Sequence, residues 1–406
     1  MNLLIADQFH SSALEELYTL PLTTHYEPNL TEEELEEKIA EVSILVVRST
    51  PVTAKMIAAA KSLHLIVRAG TEYNTIDVQA ASKRGIYVAH VPGKNATAVA
   101  ELVFGLLLSL DRRIPDAVNS LRNGSWERSP FKKAEGLYGK SIGIAGLGAT
   151  GKEVAYRAKA FGLRVIAFSR RLTHARAHEL GVQAVGSIEE LAKQSDILTI
   201  HLPLTEKTKG LISQKIFDLL PERAIFINVA RAGIVDYHAM RKAIQSHHLR
   251  AAIDVYPNEP QEGNNPYASW FVAPVSDQGF LYGTPHIASA TDQAQSAIAS
   301  EVVHIIRSFV LEGYVPHVVN MLHTSSARFQ LIIRMKDRAG VLGNTLTVLK
   351  KHGIHVEEVI NKGFEGGEAT CAKLRILSSP SEACLAEIRA IQQVIHLALI
   401  PLPNLA

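Results

Sequence analysis

Over the first three hundred residues, short unbroken runs of Val, Ile and Leu alternate with stretches in which apolar positions recur every three or four residues. The runs NLLIA, ILVVRS, LHLIVRAG, IYVAHV, SIGIAG, RVIAFS, DILTIHL, AIFINVA and LRAAIDV predict strands buried on both faces, as in a parallel sheet covered by helices. The stretches between them predict those helices. TEEELEEKIA, for example, opens on Thr31 with Glu34 three residues later, the spacing of a capping box. The predicted fold class is α/β, with doubly wound parallel sheets. Strands and helices before about residue 95 form one unit, and a glycine-rich turn opens a second. The helical pattern DQAQSAIASEVVHIIRSFV then leads through YVPHVVN back to the first. Past Ser325 the order becomes strand, helix, strand, strand, helix, strand (FQLIIRM, DRAGVLGNTLTVLKKHG, IHVEEVIN, ATCAKLRIL, SEACLAEIRAI, VIHLALIPL), which predicts a small ferredoxin-like βαββαβ module.

Composition narrows the function classes. A chain of 406 residues with 47% hydrophobic residues has room for two or three packed domains. Its 42 basic and 40 acidic residues leave a formal charge of only +2. That gives no field calling for nucleic acid or an anionic membrane and points to small-molecule partners. Cys371 and Cys384 form neither a CxxC pair nor a disulfide framework, which suggests reduced, cytoplasmic thiols. MNLLIADQFH meets Asp7 too soon for a signal peptide. The apolar run AVAELVFGLLLSL from Ala98 carries Glu101 and is shorter than a membrane span, so it predicts a buried helix, with a subunit interface as one place to bury it. His247 and His248 are adjacent and cannot face one site from one element; with no HExxH or CxxC, no metal is expected.

The candidate chemistry begins at SIGIAGLGATGKEVA. A strand runs into Gly146, Gly148 and Gly151 in GxGxxG spacing, and Ala149 and Thr150 open a helix. Such glycines permit a tight turn, close approach of a pyrophosphate to a helix N-terminus, and close helix-strand packing. A glycine-rich structural turn is the plainer alternative, but strand before, helix after and a second strand about 20 residues on favour a dinucleotide site. That second strand ends in Ser169, Arg170 and Arg171 rather than in an acid. An acid there would hold a ribose 2′-hydroxyl, whereas arginines suit a 2′-phosphate, so NADP(H) is favoured, with NAD(H) possible. A solvated arginine pair is the competing reading.

Further along, INVARAGIVD sets Arg231 just past a strand, DVYPNEP carries Asp254 and Glu259, and GTPHIAS carries His286. Reduction of a 2-oxo acid needs a fixed cation for the carboxylate and carbonyl, and a proton donor that acts as hydride arrives. Arginine suits the first task and a histidine beside a carboxylate the second. Singly, each has a structural alternative: Arg231 and Glu259 as surface ion-pair members, and His286 as a capping or core residue among 17 histidines.

Taken in order, VVRST, LIVRAGTEYNTIDV, AASKRGIYVAHVPGKNATAVAEL, GLYGKSIGIAGLG, HLPLTEKTKGLI, INVARAG, AAIDVYPNEP and TPHIAS resemble the D-isomer-specific 2-hydroxyacid dehydrogenase family, nearest its D-3-phosphoglycerate dehydrogenase branch, over about residues 3 to 320. The resemblance implies two Rossmann-like doubly wound domains around a closing cleft: a discontinuous substrate domain, 1–95 and 288–320, and a dinucleotide domain, 96–287. It implies that Arg231 binds substrate, that His286 is the acid/base and that Glu259 orients it. Asp254 would meet the nicotinamide. Thr71, Leu202, Pro203, Val229, Ala230, Ala288 and Ser289 would line the cofactor together with the glycine turn, and Ala69 and Gly70 would meet the substrate. Dimerisation through the nucleotide domain is also implied, giving a homodimer or homotetramer. Arg48 and Arg68 match positions where phosphoglycerate dehydrogenases place arginines near the substrate phosphate; either could equally be an ion-pair arginine at a strand end. The expected reaction is hydride exchange with 3-phosphoglycerate or 3-phosphohydroxypyruvate. The alternatives are an NADPH-dependent glyoxylate or hydroxypyruvate reductase and a non-catalytic dinucleotide sensor. Glu72 and Tyr73 depart from the family loop, where Glu72 would repel an anionic substrate if it pointed into the cleft, and Ala232 replaces a common glycine. Residues 327–406 resemble an ACT domain, with Gly340 at its turn. Met335, Asp337 and His355 stand where serine-binding members differ, leaving an amino-acid effector and a purely dimerising module both open.

Overall fold

In the computed structural model, which describes residues 1–260, 263–271, 279–322 and 325–403, all nine apolar runs form strands and sort into two parallel sheets. The first holds β1 (Asn2–Ile5), β2 (Thr23–Tyr26), β3 (Ile44–Val47), β4 (Leu65–Arg68) and β5 (Tyr87–His90) in the order β2-β1-β3-β4-β5. The second holds β6 (Ser141–Ala145), β7 (Arg164–Phe168), β8 (Gln183–Ala184), β9 (Ile197–Ile200), β10 (Ile225–Asn228), β11 (Arg250–Ile253) and β12 (Phe280–Gly283) in the order β12-β11-β10-β9-β6-β7-β8. This order reverses between β6 and β9, the switch point outside whose strand ends a doubly wound sheet binds its ligand. Apolar clusters cover both faces of each sheet.

Several local expectations are met. Thr31 and Glu34 form a reciprocal capping box. The apolar run from Ala98 lies in the helix Ala96–Arg112, where Val99, Val103, Phe104, Leu107 and Leu110 are buried against the second sheet. Its burial therefore needs no partner subunit. The helix Asp292–Glu312 packs Ile298, Val302, Ile305 and Ile306 into the core of the first sheet. The chain beyond it runs antiparallel beside β5, where Asn320 accepts from the Val88 N–H and donates to the Ile86 carbonyl.

The chain divides into two compact units, Met1–Asn320 and Met321–Ala406. In the second, β13 (Phe329–Lys336), β14 (Val356–Gly363), β15 (Ala369–Ile376) and β16 (Val394–Pro401) form an antiparallel sheet in the order β14-β15-β13-β16. Helices Val341–Lys351 and Glu382–Arg389 complete a βαββαβ chain order. Met335 is buried in the core of this unit, whereas His355 is exposed. Residues 404–406, the end of the expected module, lie outside the described residues.

Candidate active site

The glycine turn follows β6, and each glycine meets a separate demand. Gly146 has φ +101°, and a Cβ there would stand 2.5 Å from the His201 carbonyl oxygen, in the chain leaving β9 towards Leu202 and Pro203. At Gly151 a Cβ would stand 2.0 Å from the Gly146 carbonyl oxygen, so helix and turn could not pack as they do. Gly148 has open space where its side chain would be, at the N-cap of the helix Ala149–Ala160. The open space at Gly148, at the N-terminus of that helix, fits the close approach of a dinucleotide pyrophosphate. Ser169, Arg170 and Arg171 form a turn just past β7, the strand beside β6; both arginines are exposed, and among the described residues no carboxylate pairs with either.

A cavity of about 410 Å³ within the first unit brings the remaining chemistry together. Its walls include Arg48, Arg68, Ala69, Gly70 and Thr71 from the first sheet's strand ends, and Val229, Arg231, Glu259, His286, Ala288 and Ser289 from the second part. Arg231 follows β10 in a turn clamped by the buried Asn228. The Asn228 side chain accepts from the Ala230 N–H and donates to the Arg231 carbonyl and to the Tyr237 hydroxyl. Glu259 accepts from the Tyr256 N–H with one oxygen, 2.7 Å away, and with the other meets His286 Nδ1 at 2.5 Å. Both carboxylate oxygens are thereby used, the imidazole is oriented, and Nε2 is left as its free nitrogen. His286 itself sits at φ +53°, a left-handed conformation that histidine adopts uncommonly.

Asp254 is fully buried. It accepts from the Thr284 hydroxyl (2.6 Å) and from the N–H groups of Ile287 (2.8 Å) and Ala288 (2.9 Å). Burial pushes its carboxyl above the usual range, against the pull of those donors. It anchors the loop that carries His286. Asp7 does the same for Arg48: one oxygen accepts from the backbone N–H groups of Arg48, Ser49 and Thr50, at 2.6, 3.1 and 3.2 Å. In the sequence Asp7 is only an acid at the end of the first apolar run, with nothing to mark it as a support for Arg48.

Arg68 is set differently from the other cations. Its guanidinium lies over Gly70, where a Cβ would be 1.5 Å from Nη1, and its buried Nε has no hydrogen-bond partner among the described residues. Burial pulls the group below the usual arginine range, and the nearby Arg48 and Arg231 pull the same way, while Glu72 and Asp7 oppose them. Arg231 is already engaged: Nε and Nη2 both donate to one Glu72 oxygen at 2.6 Å, and Nη1 donates to the Ala230 carbonyl at 2.5 Å. Glu72 thus points into the cavity, as its position in the loop suggested it could. Among the described residues no cluster of His, Cys, Asp or Glu is placed to hold a metal ion, and no helix is long and apolar enough to cross a membrane.

Residues 104–288 match the family described as "D-isomer specific 2-hydroxyacid dehydrogenase, NAD binding domain". D-3-phosphoglycerate dehydrogenase of Methanocaldococcus jannaschii is 36% identical over 375 residues, 91% of this chain and 69% of that one. The Archaeoglobus fulgidus enzyme of the same name is 34% identical over 350 residues, 86% of this chain and 64% of that one. The chain thus spans about two thirds of the length of these relatives. Among solved structures, an NAD⁺-bound 3-phosphoglycerate dehydrogenase from Entamoeba histolytica superposes with a TM-score of 0.65 at 25% identity, covering 79% of this chain and 99% of that one. The chain belongs to the D-isomer specific 2-hydroxyacid dehydrogenase family, enzymes that exchange hydride between a nicotinamide dinucleotide and small 2-hydroxy acids.

Proposed function

We propose that this chain interconverts 3-phosphoglycerate and 3-phosphohydroxypyruvate with NADP(H) as the favoured dinucleotide. The observation that carries the substrate is Arg68: a half-buried arginine whose buried Nε has no partner among the described residues, beside Arg48 in the same cavity as Arg231 and His286. Glu72 and Asp7 lie near enough to act on its charge, but among the described residues neither hydrogen-bonds it, and a phosphate dianion supplies the missing acceptors. The bound nicotinamide supplies or accepts the hydride at C2. Arg231 holds the carboxylate and polarises the carbonyl, His286 exchanges the proton with the C2 oxygen, and Glu259 keeps the imidazole aimed. Ala69, Gly70 and Thr71 close over the substrate, with Val229, Ala230, Leu202, Pro203, Ala288 and Ser289 along the cofactor. Asp254 serves the nicotinamide side by holding the Ile287–Ala288 backbone.

The exposed Arg170 and Arg171, which pair with no carboxylate among the described residues, support a 2′-phosphate. The helix Ile114–Arg122 turns Ile114, Val118 and Leu121 outward, a stripe that supports assembly through the nucleotide domain. The βαββαβ topology of the second unit supports reading it as an ACT module. One observation favours a hydroxypyruvate or glyoxylate reductase instead: the cavity contains the anion Glu72 as well as its three arginines.

Initial rates with 3-phosphohydroxypyruvate, hydroxypyruvate and glyoxylate, each with NADPH and NADH, test the proposal. The phosphorylated substrate and NADPH are expected to give the highest kcat/KM. The double variant R170A/R171A is expected to lose about tenfold or more of the NADPH preference, as for removal of charge-assisted hydrogen bonds. A higher kcat/KM for hydroxypyruvate would transfer the assignment to the reductase, and an unchanged cofactor preference in the double variant would remove the phosphate role of the two arginines.

A further inference from the structure

Glu72 bears on specificity as well as on the fold of its loop. Its carboxylate holds Arg231 through both Nε and Nη2, and the third guanidinium nitrogen is taken by the Ala230 carbonyl. Every nitrogen of the arginine assigned to the substrate carboxylate therefore has a partner in the free protein. The loop that presents Glu72 is braced on both sides: the Thr71 hydroxyl meets Asn95 at 3.2 Å, His90 Nδ1 meets the Thr71 carbonyl at 2.7 Å, and the Tyr73 ring stands edge-on to His90 with centroids 5.3 Å apart. Glu72 is also close enough to Arg68 to act on its charge. It is thus one anion set among three cations, within the cavity that would receive the substrate.

We infer that Glu72 is a specificity-determining residue that sets how much negative charge a substrate must not exceed, weakening selection for a phosphorylated over an unphosphorylated 2-oxo acid. The inference rests on the assignment of Arg231 to the substrate carboxylate and of Arg48 and Arg68 to the C3 substituent. Displacing Glu72 from Arg231 costs the same for any substrate carboxylate, so that contact alone raises every KM together and selects nothing. Selection comes from the charge left behind. Once displaced, Glu72 remains beside Arg68, where it repels a phosphate dianion and accepts a hydrogen bond from a neutral C3 hydroxyl. Removing its charge therefore lowers KM for both kinds of substrate and favours the more anionic one further.

The test is steady-state kinetics on the full chain and its variants E72Q and E72D, with 3-phosphohydroxypyruvate and hydroxypyruvate, each with the better cofactor. In E72Q the ratio of kcat/KM for the phosphorylated over the unphosphorylated substrate is expected to rise about tenfold or more, with KM for hydroxypyruvate falling severalfold. E72D, which keeps the charge, is expected to hold the wild-type ratio within about twofold. A ratio that is unchanged or lower in E72Q overturns the inference, and so does a ratio that rises equally in E72D, since that would make the effect one of loop shape. R68Q run alongside separates the two readings. If its ratio falls while E72Q leaves the ratio unmoved, the phosphate seat stands and the role of Glu72 is lost. If E72Q raises the ratio while R68Q leaves it unchanged, the seat is misassigned and the charge effect of Glu72 remains.

Discussion

Replacing His286 by Ala is expected to lower kcat by about 10²–10⁴-fold with the best substrate, the range that a positioned general acid/base contributes. Dinucleotide affinity is expected to change little, because the glycine turn after β6 does not use the imidazole. The argument is geometric. Glu259 spends one oxygen on the Tyr256 N–H and the other on His286 Nδ1, so the ring is fixed and only Nε2 remains to face a substrate. Asp254 fixes the same loop from beneath through Thr284, Ile287 and Ala288. Glu259→Gln should consequently cost less than His286→Ala, since the amide can still orient the ring and the imidazole remains to exchange the proton. Stopped-flow reduction with saturating cofactor reads the chemical step directly. Near wild-type turnover in His286→Ala would remove the histidine from the mechanism and leave the Glu259 contact as a structural pair.

The sequence made the sheet interiors legible where burial is two-sided. Continuous Val, Ile and Leu runs have one stable environment, and all nine became strands. Three of the four strands at the edges of the two parallel sheets carry no such pattern, β5 being the exception. TTHY in β2 alternates between exposed and half-buried positions, β8 is only two residues long, and β12 is a short FLYG whose last residue is exposed. Each is held by pairing with a neighbour more than by its own composition, so no local signal announces it. The site divides in the same way. Gly146, Gly148 and Gly151 were readable because backbone geometry limits which residues a tight turn accepts. Arg231, Glu259 and His286 were readable because their order along the chain matched a familiar one. The partnership of Glu72 with Arg231 spans 159 positions and that of Asp7 with the Arg48 backbone spans 41, distances at which a sequence shows residue types but not which side chains meet. Arg68 shows the same limit: its place at a strand end suggested a phosphate-binding cation, and only the fold shows that its Nε lacks a partner among the described residues.

Putting a side chain at Gly148 is expected to abolish dinucleotide binding while leaving the folded protein as stable as before. The same change at Gly151 should damage both. A Cβ at Gly148 meets no protein atom within 4 Å, and the backbone there has φ −75°, which any residue tolerates. The fold therefore has no reason to require glycine at that position; what requires it is the group that must approach the helix N-terminus. Gly148→Val would fill the approach and separate a pyrophosphate from the N–H groups meant to receive it, and loss of several charge-assisted hydrogen bonds at once corresponds to more than about 10²-fold in affinity. At Gly151 the new Cβ would meet the Gly146 carbonyl oxygen at 2.0 Å, a backbone atom with no freedom to yield, so Gly151→Val should lower Tm as well. Fluorescence titration with NADPH and NADH, paired with thermal unfolding of both variants, separates the two roles. If Gly148→Val bound dinucleotide normally, the pyrophosphate would have to lie elsewhere. The positions of Arg170 and Arg171, placed relative to that cradle, would then lose their bearing on the choice between NADP(H) and NAD(H).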